Sequence, residues 1–264
     1  MPVLAWILLA CLAGGVVSVL LAALVAFRVQ ARLVPVLVSY AVGALLGAVF
    51  LDILPHLFEQ TVDYAGTASV ILAGLLGFFV LEKVLLWRHH HHAGEGDEAP
   101  AAHGHGHGHG HDHGRSGLLI VVGDSFHNFT DGILIAAAFL ADVKLGVVTA
   151  AAIVAHEVPQ EVGDFLVLLH SGYSRARALA MNALSSLANV AGALLGYFAL
   201  SVAQAWVPTV LALAAASMLY VAVADLIPGL HRRSSARESL VQVTFIGLGI
   251  ASLWAVHAVL GHAH

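Results

Sequence analysis

The stretch GLLIVVGDSFHNFTDGILIAAAFLA, residues 117–141, places polar groups in the middle of a long apolar run. His127 and Asp131 stand one helical turn apart, Asn128 follows His127 directly, and most of the surrounding side chains are apolar. Ionisable groups at membrane depth are rare, and they usually mark an ion pathway or a proton relay. This stretch therefore predicts a membrane helix that carries a functional site.

A second apolar stretch, residues 145–170, repeats the pattern. Its polar run reads His156-Glu157-Val158-Pro159-Gln160-Glu161. On a helix, His156 stacks with Gln160, and Glu157 stacks with Glu161. The proline within the run removes one backbone hydrogen bond and should loosen the helix there. Two such runs on consecutive helices predict a buried site for a transition metal.

The composition places the chain among membrane proteins with several spans. Of its 264 residues, 59% are hydrophobic and 10% are charged, whereas about a quarter of the residues in a soluble domain are charged. About 20 mostly apolar residues are needed to cross the bilayer as a helix, and eight segments qualify. We predict an all-α membrane protein with spans at 4–27, 34–57, 67–87, 117–141, 145–170, 177–200, 206–229 and 240–261.

The basic residues predict the orientation in the membrane. With the N-terminus outside, only Lys144 among the 11 Lys and Arg falls at an outer end, in agreement with the positive-inside rule. An even number of spans then places the C-terminus outside as well. The frequent use of Ala, Gly and Arg suggests a bacterial inner membrane.

The segment 89–116 interrupts the apolar pattern between spans three and four. It has almost no apolar side chains, so we expect a disordered cytoplasmic loop between spans one to three (1–88) and spans four to eight (117–264). Histidine-rich tracts bind metal, and we expect metal buffering or sensing by His103, His105, His107, His109, His111 and His113. A plain solvated linker is the alternative, as is a purification artefact for the block 89–92.

A short internal repeat relates spans two and seven. The pattern Asp-x-x-Pro-x-Leu occurs at 52–57 and again at 225–230. In the orientation above, these two spans run in opposite directions. Similar segments of opposite polarity suggest that spans 1–3 and 6–8 are inverted repeats around spans four and five, an arrangement that brackets a midplane site in transporters.

The two polar runs should meet at the same depth. With about 1.5 Å of rise per residue, His127 lies roughly 13 Å from one membrane face and His156 about 15 Å from the other. The short connection at 142–145 makes the two helices antiparallel neighbours. We expect two adjoining clusters: His127, Asp131, His156 and Gln160, then Asn128, Asp131, Glu157 and Gln160.

The mixture of side chains points to a class of metal. Imidazole and carboxylate ligands together suit Zn²⁺, Fe²⁺ and related ions, whereas Mg²⁺ and Ca²⁺ prefer oxygen alone. A single membrane histidine is more often an interhelical hydrogen-bonding partner, which is our interpretation of His170. The joint set of two histidines and two acids favours a metal site, because a bound cation removes the cost of charge at this depth.

The motifs resemble those of the ZIP (Zrt- and Irt-like) metal transporter family. The run HNFTDG at 127–132 looks like the fourth-helix signature of the family. The run HEVPQEVGDF at 156–165 looks like its fifth-helix signature, closest to the branch that has His-Glu-x-Pro-His-Glu. The resemblance extends to eight spans, two outer termini and a His-rich loop. It implies a binuclear site on these helices and movement of metal into the cytoplasm.

The resemblance also implies roles for residues outside the two runs. Asn189 stands where many family members have a glutamate that contacts the second metal. Asp52 with His56 looks like an entrance, and Asp225 looks like an exit. Taken alone, Asp52 and Asp225 are equally well interpreted as helix-end or interhelical hydrogen-bonding groups.

Two positions predict that the second metal site is weaker than the first or absent. Gln160 is a neutral ligand where the family often has His or Glu, and Asn189 also lacks a charge. Glu157 then becomes the main anion of the second site. Glu161 can compensate, although it lies about 100° further round the helix than Gln160.

We therefore predict transport of divalent transition-metal ions into the cytoplasm, with zinc first and Fe²⁺, Mn²⁺ or Cd²⁺ as alternatives. No enzymatic activity is expected: an intramembrane metalloprotease is the enzyme alternative, but the second histidine of His-Glu-x-x-His is replaced by Gln160. A cation-diffusion efflux carrier and a metal sensor without transport are further alternatives. The expected partners are divalent metal ions and the lipid bilayer, with a homodimer as a candidate assembly and no nucleic acid.

Overall fold

The computed structural model describes residues 2–28, 33–91, 113–231 and 235–261, and all regular secondary structure in these ranges is helical. In chain order the helices are α1 (Val3–Arg28), α2 (Val34–Gly47), α3 (Leu54–Gln60), α4 (Tyr64–His91), α5 (His113–Ala141), α6 (Val143–His170), α7 (Arg175–Val202), α8 (Val207–Tyr220), α9 (Ile227–His231) and α10 (Ala236–Gly261). A 3₁₀ turn, Gln204–Trp206, precedes α8. The prediction of an all-α protein is confirmed.

Two π-helical segments join shorter helices into continuous columns. Ala48–Ile53 joins α2 to α3, and Val221–Leu226 joins α8 to α9. Each segment is followed, two residues on, by a proline, which has no N–H to donate to the preceding turn. The wider π turn accommodates this missing α-helical bond. Each widened turn also contains one acidic residue, Asp52 in the first column and Asp225 in the second.

Six helical segments among the described residues are long and apolar enough to cross a membrane. They are Val3–Val25, Val34–Gln60, Tyr64–Val84, Arg175–Val202, Gln204–His231 and Ala236–Val259. The helices α5 and α6 are not among the six, and they carry two and three acidic side chains within their apolar runs. The eight ranges predicted to span the membrane are all helical, but the passage of α5 and α6 through the bilayer stays a prediction.

A tight turn places α5 and α6 side by side. Asp142 is the single residue between them, and its backbone is extended. Its Oδ1 accepts hydrogen bonds from the N–H groups of Lys144 and Leu145 at 2.8 and 3.1 Å, which caps the start of α6. The two helices that carry the polar runs are therefore antiparallel neighbours.

Helix α5 packs closely against α7 through glycines. A Cβ on Gly132 would lie 1.9 Å from Asn189 O, and a Cβ on Gly192 would lie 1.9 Å from Phe129 O. Small residues allow membrane helices to approach this closely. The contact brings Asn189 to the level of the polar run on α5. Helix α1 packs against α6 and α7, so the group of four helices around the polar runs is α1, α5, α6 and α7.

The remaining helices pack outside this group of four. Helix α2 lies between α10 and α6, and α4 lies against α8. The apolar core joins the group of four helices to the outer ones through buried side chains such as Ile7, Leu45, Ile135, Ile153 and Leu211. The helices that carry the polar runs are thus packed into the apolar core.

Candidate metal site

Three donor atoms from the two polar runs lie close together. The Nε2 atoms of His127 and His156 are 3.1 Å apart, and each lies 3.4 Å from Asp131 Oδ2. Within the described part of the chain, this is the group of His, Cys, Asp or Glu whose ligand atoms all come within 4.8 Å of one another. We refer to His127, Asp131 and His156 as the triad.

Helix geometry and one backbone contact orient the triad. His127 and Asp131 are one turn apart on α5, so both point toward α6. On α6, His156 Nδ1 lies 3.4 Å from Ala152 O, which suits an Nδ1–H that donates to this carbonyl. That tautomer leaves the Nε2 lone pair of His156 directed at the other two members.

The triad is buried on one side and accessible on the other. The side chains of Asp131 and His156 are each 3% exposed, whereas that of His127 is 26% exposed. Asp131 Oδ2 is buried and has no hydrogen-bond partner among the described residues. An unpartnered carboxylate oxygen is costly in an apolar interior, so this atom is available to a cation.

A cavity of about 420 Å³ begins at His127. It extends toward the end of the bundle where α4 ends and α5 begins. Its polar wall includes Glu82, Asp124, Gln160, Asp164 and Asp225. Four carboxyl groups in one cavity wall make it attractive to a cation.

The amide side chains of the two runs contact Asp124. Asn128 Nδ2 and Gln160 Nε2 both donate to Asp124 Oδ1, at 3.1 and 3.0 Å. Asn128 is 1% exposed, and within the described ranges its buried Oδ1 has no hydrogen-bond partner. Asp124 therefore links α5 to α6 beside the triad.

Glu157 contacts α7. Its Oε1 accepts a hydrogen bond from Asn189 Nδ2 at 3.4 Å, and both residues are buried. In the part of the chain that the structure describes, Asn189 Oδ1 has no hydrogen-bond partner. Asn189 thus lies beside the carboxylate expected to anchor a second metal.

Glu161 is buried one turn further along the same face of α6. Neither of its carboxylate oxygens has a hydrogen-bond partner in the described structure. Asn182 Nδ2 donates to the backbone oxygen of Glu161 at 2.9 Å, so α7 contacts the backbone of α6 at this level.

The expected entrance and exit residues lie in separate parts of the structure. Asp52 is buried and is hydrogen bonded to His257 Nδ1 on α10. His56 contacts Gln60, one turn away on α3, with 3.0 Å between their Nε2 atoms. Asp225 lies in the wall of the cavity that begins at the triad.

The histidines expected to buffer metal lie mostly beyond what the structure describes. His103, His105, His107, His109 and His111 are outside the described residues. His113 is the first residue of α5, and α4 continues to His91. Helix therefore reaches into both ends of the range 89–116, which the composition predicts to be disordered.

Two polar residues near the expected site residues were missed by the sequence analysis. Asp124 precedes Asn128 by four residues, and this helical spacing could have signalled the contact. His257 meets Asp52 from a position 205 residues away, and no local pattern indicates such a pairing.

Comparison with known proteins gives the family. The family model described as ZIP Zinc transporter matches residues 3–257. Zinc transporter ZIP4 of Mus musculus is 39% identical over 143 residues, 52% of this chain and 21% of ZIP4. Zinc transporter ZIP13 of Pongo abelii is 30% identical over 234 residues, 81% of this chain and 64% of that protein. The ZIP13 homolog of Drosophila melanogaster is 30% identical over 281 residues, 88% of this chain and 79% of that protein.

The chain thus spans about a fifth of the length of the ZIP4 protein and under two thirds of Pongo ZIP13. All three relatives are named as transporters and not as enzymes. The family match covers nearly the whole chain and confirms the resemblance seen in the two motifs. This protein belongs to the ZIP zinc transporter family.

Proposed function

We propose that this protein transports Zn²⁺ across a membrane and that the triad binds the ion in transit. The observation that carries the proposal is the separation of the three donor atoms, 3.1, 3.4 and 3.4 Å. Tetrahedral zinc holds its ligands at about 2.0–2.2 Å, so neighbouring ligand atoms lie roughly 3.3–3.6 Å apart. The triad fits three corners of such a tetrahedron. An open fourth corner lets the ion be exchanged, unlike a closed structural site.

The donor set also supports zinc as the substrate. Two nitrogens and one carboxylate oxygen favour a transition metal over Mg²⁺ or Ca²⁺. Among transition metals, the names of the three relatives favour zinc over Fe²⁺, Mn²⁺ and Cd²⁺. A cation between these groups would also offset the cost of burying Asp131.

A second, weaker ion position is proposed beside the triad. Glu157 would supply its carboxylate, and the unpartnered Oδ1 atoms of Asn128 and Asn189 would supply neutral oxygens. Gln160 and Glu161 complete the candidate ligands on α6. Neutral amide oxygens suit a transition metal less well than imidazole, so this position should hold zinc less tightly than the triad.

The proposed route runs from the outside to the cytoplasm. The ion would pass Asp52 and His56, bind at the triad, and leave through the cavity past Asp225. The orientation rests on the distribution of Lys and Arg, which favours outer termini and a cytoplasmic segment 89–116 as a metal buffer. The inward direction of transport rests on the resemblance of the two motifs to the ZIP family. The proposal that this membrane is a bacterial inner membrane rests on composition alone, because the three relatives are animal proteins.

We also propose eight spans, with inverted repeats of spans 1–3 and 6–8 around α5 and α6. The two π segments support this, because Ala48–Ile53 and Val221–Leu226 place an acidic residue at equivalent points of the two repeated spans. In apolar 18-residue stretches of α4 and α10, only 6% and 11% of the residues are buried. These two helices could face lipid or a second copy of the chain in a homodimer.

The test is zinc uptake by the full chain in liposomes. His156→Ala and Asp131→Ala should lower uptake to background while the protein still inserts, because each removes one of three ligands. His170→Ala is the matched control, since its Nδ1 contacts Leu166 O on an exposed part of α6. Normal uptake by both triad variants would refute the proposal, and zinc binding without flux by the wild type would identify a sensor.

A further inference from the structure

We propose that Asp124 is a positioning residue that orients the amides of Asn128 and Gln160, so that their carbonyl oxygens face the transported ion. The inference rests on the proposed function, because it concerns the same two helices. In this role Asp124 acts on the ion through its two partners and not as a ligand.

Residue 124 contacts the amide nitrogen of Asn128 twice. Asn128 Nδ2 lies 3.1 Å from both Asp124 O and Asp124 Oδ1. With its nitrogen bound to the preceding turn, Asn128 directs its Oδ1 away from Asp124. That oxygen is buried and has no hydrogen-bond partner in the described structure. Its lone pairs are therefore available to a cation.

Gln160 reaches the same carboxylate from the other helix. Its Nε2 donates to Asp124 Oδ1 at 3.0 Å. An ionised carboxylate accepts hydrogen bonds and cannot donate them, so only the nitrogen end of each amide can face Asp124. Gln160 lines the cavity that begins at His127. Its carbonyl oxygen is therefore free to face this cavity.

Orientation decides whether an amide attracts or repels a cation. The two ends of an amide have nearly the same shape, but the oxygen can bind a metal and the NH₂ group cannot. Without Asp124, both side chains could turn their N–H groups toward the ion. Groups that orient metal ligands in this way typically contribute about 10–100-fold to affinity or activity.

A double-mutant cycle on zinc uptake tests the inference. In liposomes that contain the full chain, with rates normalised to inserted protein, Asp124→Asn should raise the zinc KM about 10–100-fold. Gln160→Ala should raise KM as well. The double variant D124N/Q160A should be no worse than the more affected single variant, because Gln160 is already misoriented when Asp124 is lost. Glu59→Gln makes the same change on the exposed surface of α3 and should leave KM unchanged.

A charge exchange separates positioning from folding. In D124N/Q160E the amide introduced at position 124 can donate to the carboxylate introduced at position 160, which presents an oxygen to the ion whichever way it turns. KM should return toward the wild-type value, even if D124N alone inserts poorly. The inference would be overturned if the two single changes had multiplicative effects on KM, if D124N left KM unchanged, or if KM did not recover in D124N/Q160E. These failures would leave the uptake defect of His156→Ala intact, whereas normal uptake by His156→Ala would refute the proposed function and this inference with it.

Discussion

Asn189 Nδ2 on α7 donates a hydrogen bond to Glu157 Oε1 on α6 at 3.4 Å. The contact depends on α5 as well, because Asn189 O lies directly against Gly132. Three helices therefore meet at one level, and the position of the Glu157 carboxylate is tied to the packing of α5 on α7. Closer or looser packing at this point should change both stability and metal binding.

Gly132→Ala should destabilise the protein. The added Cβ would lie 1.9 Å from Asn189 O and 2.7 Å from Ala193 N, and backbone atoms cannot move aside without shifting α7. Such overpacking typically costs about 1–3 kcal/mol. A lower midpoint of thermal unfolding in detergent and a reduced zinc uptake are the expected results.

Gly123→Ala is the matched control on the same helix. Among the described residues, no atom outside the local helix lies within 4 Å of a Cβ at this position, and alanine favours helix over glycine by about 0.8–1.0 kcal/mol. Its unfolding midpoint should equal or exceed that of the wild type. Equal midpoints for both variants and the wild type would show that α5 and α7 are not packed as closely as described.

The helices could be predicted from the sequence because each is an apolar run of sufficient length. The π segments could not, since Pro55 and Pro228 mark a break in hydrogen bonding without determining how the chain absorbs it. The pairing of α2 with α10 also has no local signal, because apolar faces of membrane helices are chemically alike.

The contacts of the candidate site likewise include some that the sequence could predict and others that it could not. Spacing along each helix, together with the short turn at Asp142, was sufficient to bring His127, Asp131 and His156 to one level. The partners of the amides and of Asp52 depend on side-chain directions across helices, which spacing does not determine. For this reason the contacts of Asp124 and His257 emerge only from the structure.

His257→Ala should weaken zinc entry if Asp52 serves as an entrance ligand. Asp52 would lose its partner on α10, and its Oδ2 already has no hydrogen-bond partner among the residues described. We expect a higher zinc KM with little change in the maximal rate, because the triad is unaltered. His257→Gln retains a hydrogen-bond donor and should recover part of the affinity. A lower unfolding midpoint with an unchanged KM would instead support the alternative in which Asp52 is an interhelical hydrogen-bonding group.

Serine in place of His103, His105, His107, His109 and His111 should reduce the amount of zinc bound per protein. The initial rate of uptake should stay close to that of the wild type, because these residues lie outside the triad and the cavity. Equilibrium binding and initial rates, measured on the same preparation, separate the two effects. Complete loss of uptake would refute a buffering role for the histidines.

Competing ions should distinguish the triad from an all-oxygen site. Two of its three donor atoms are imidazole nitrogens, which Mg²⁺ and Ca²⁺ bind poorly and which Zn²⁺ and neighbouring transition metals bind well. Initial zinc uptake should therefore be unaffected by a large excess of Mg²⁺ or Ca²⁺ and inhibited by Cd²⁺ or Fe²⁺. His127→Asp replaces a nitrogen by oxygen at the most exposed member of the triad, so zinc uptake should fall and inhibition by Mg²⁺ should increase. If Mg²⁺ inhibited the wild type as strongly as Cd²⁺ does, the ion would have to be selected elsewhere, on carboxyl groups such as Asp124 and Asp225 in the cavity wall.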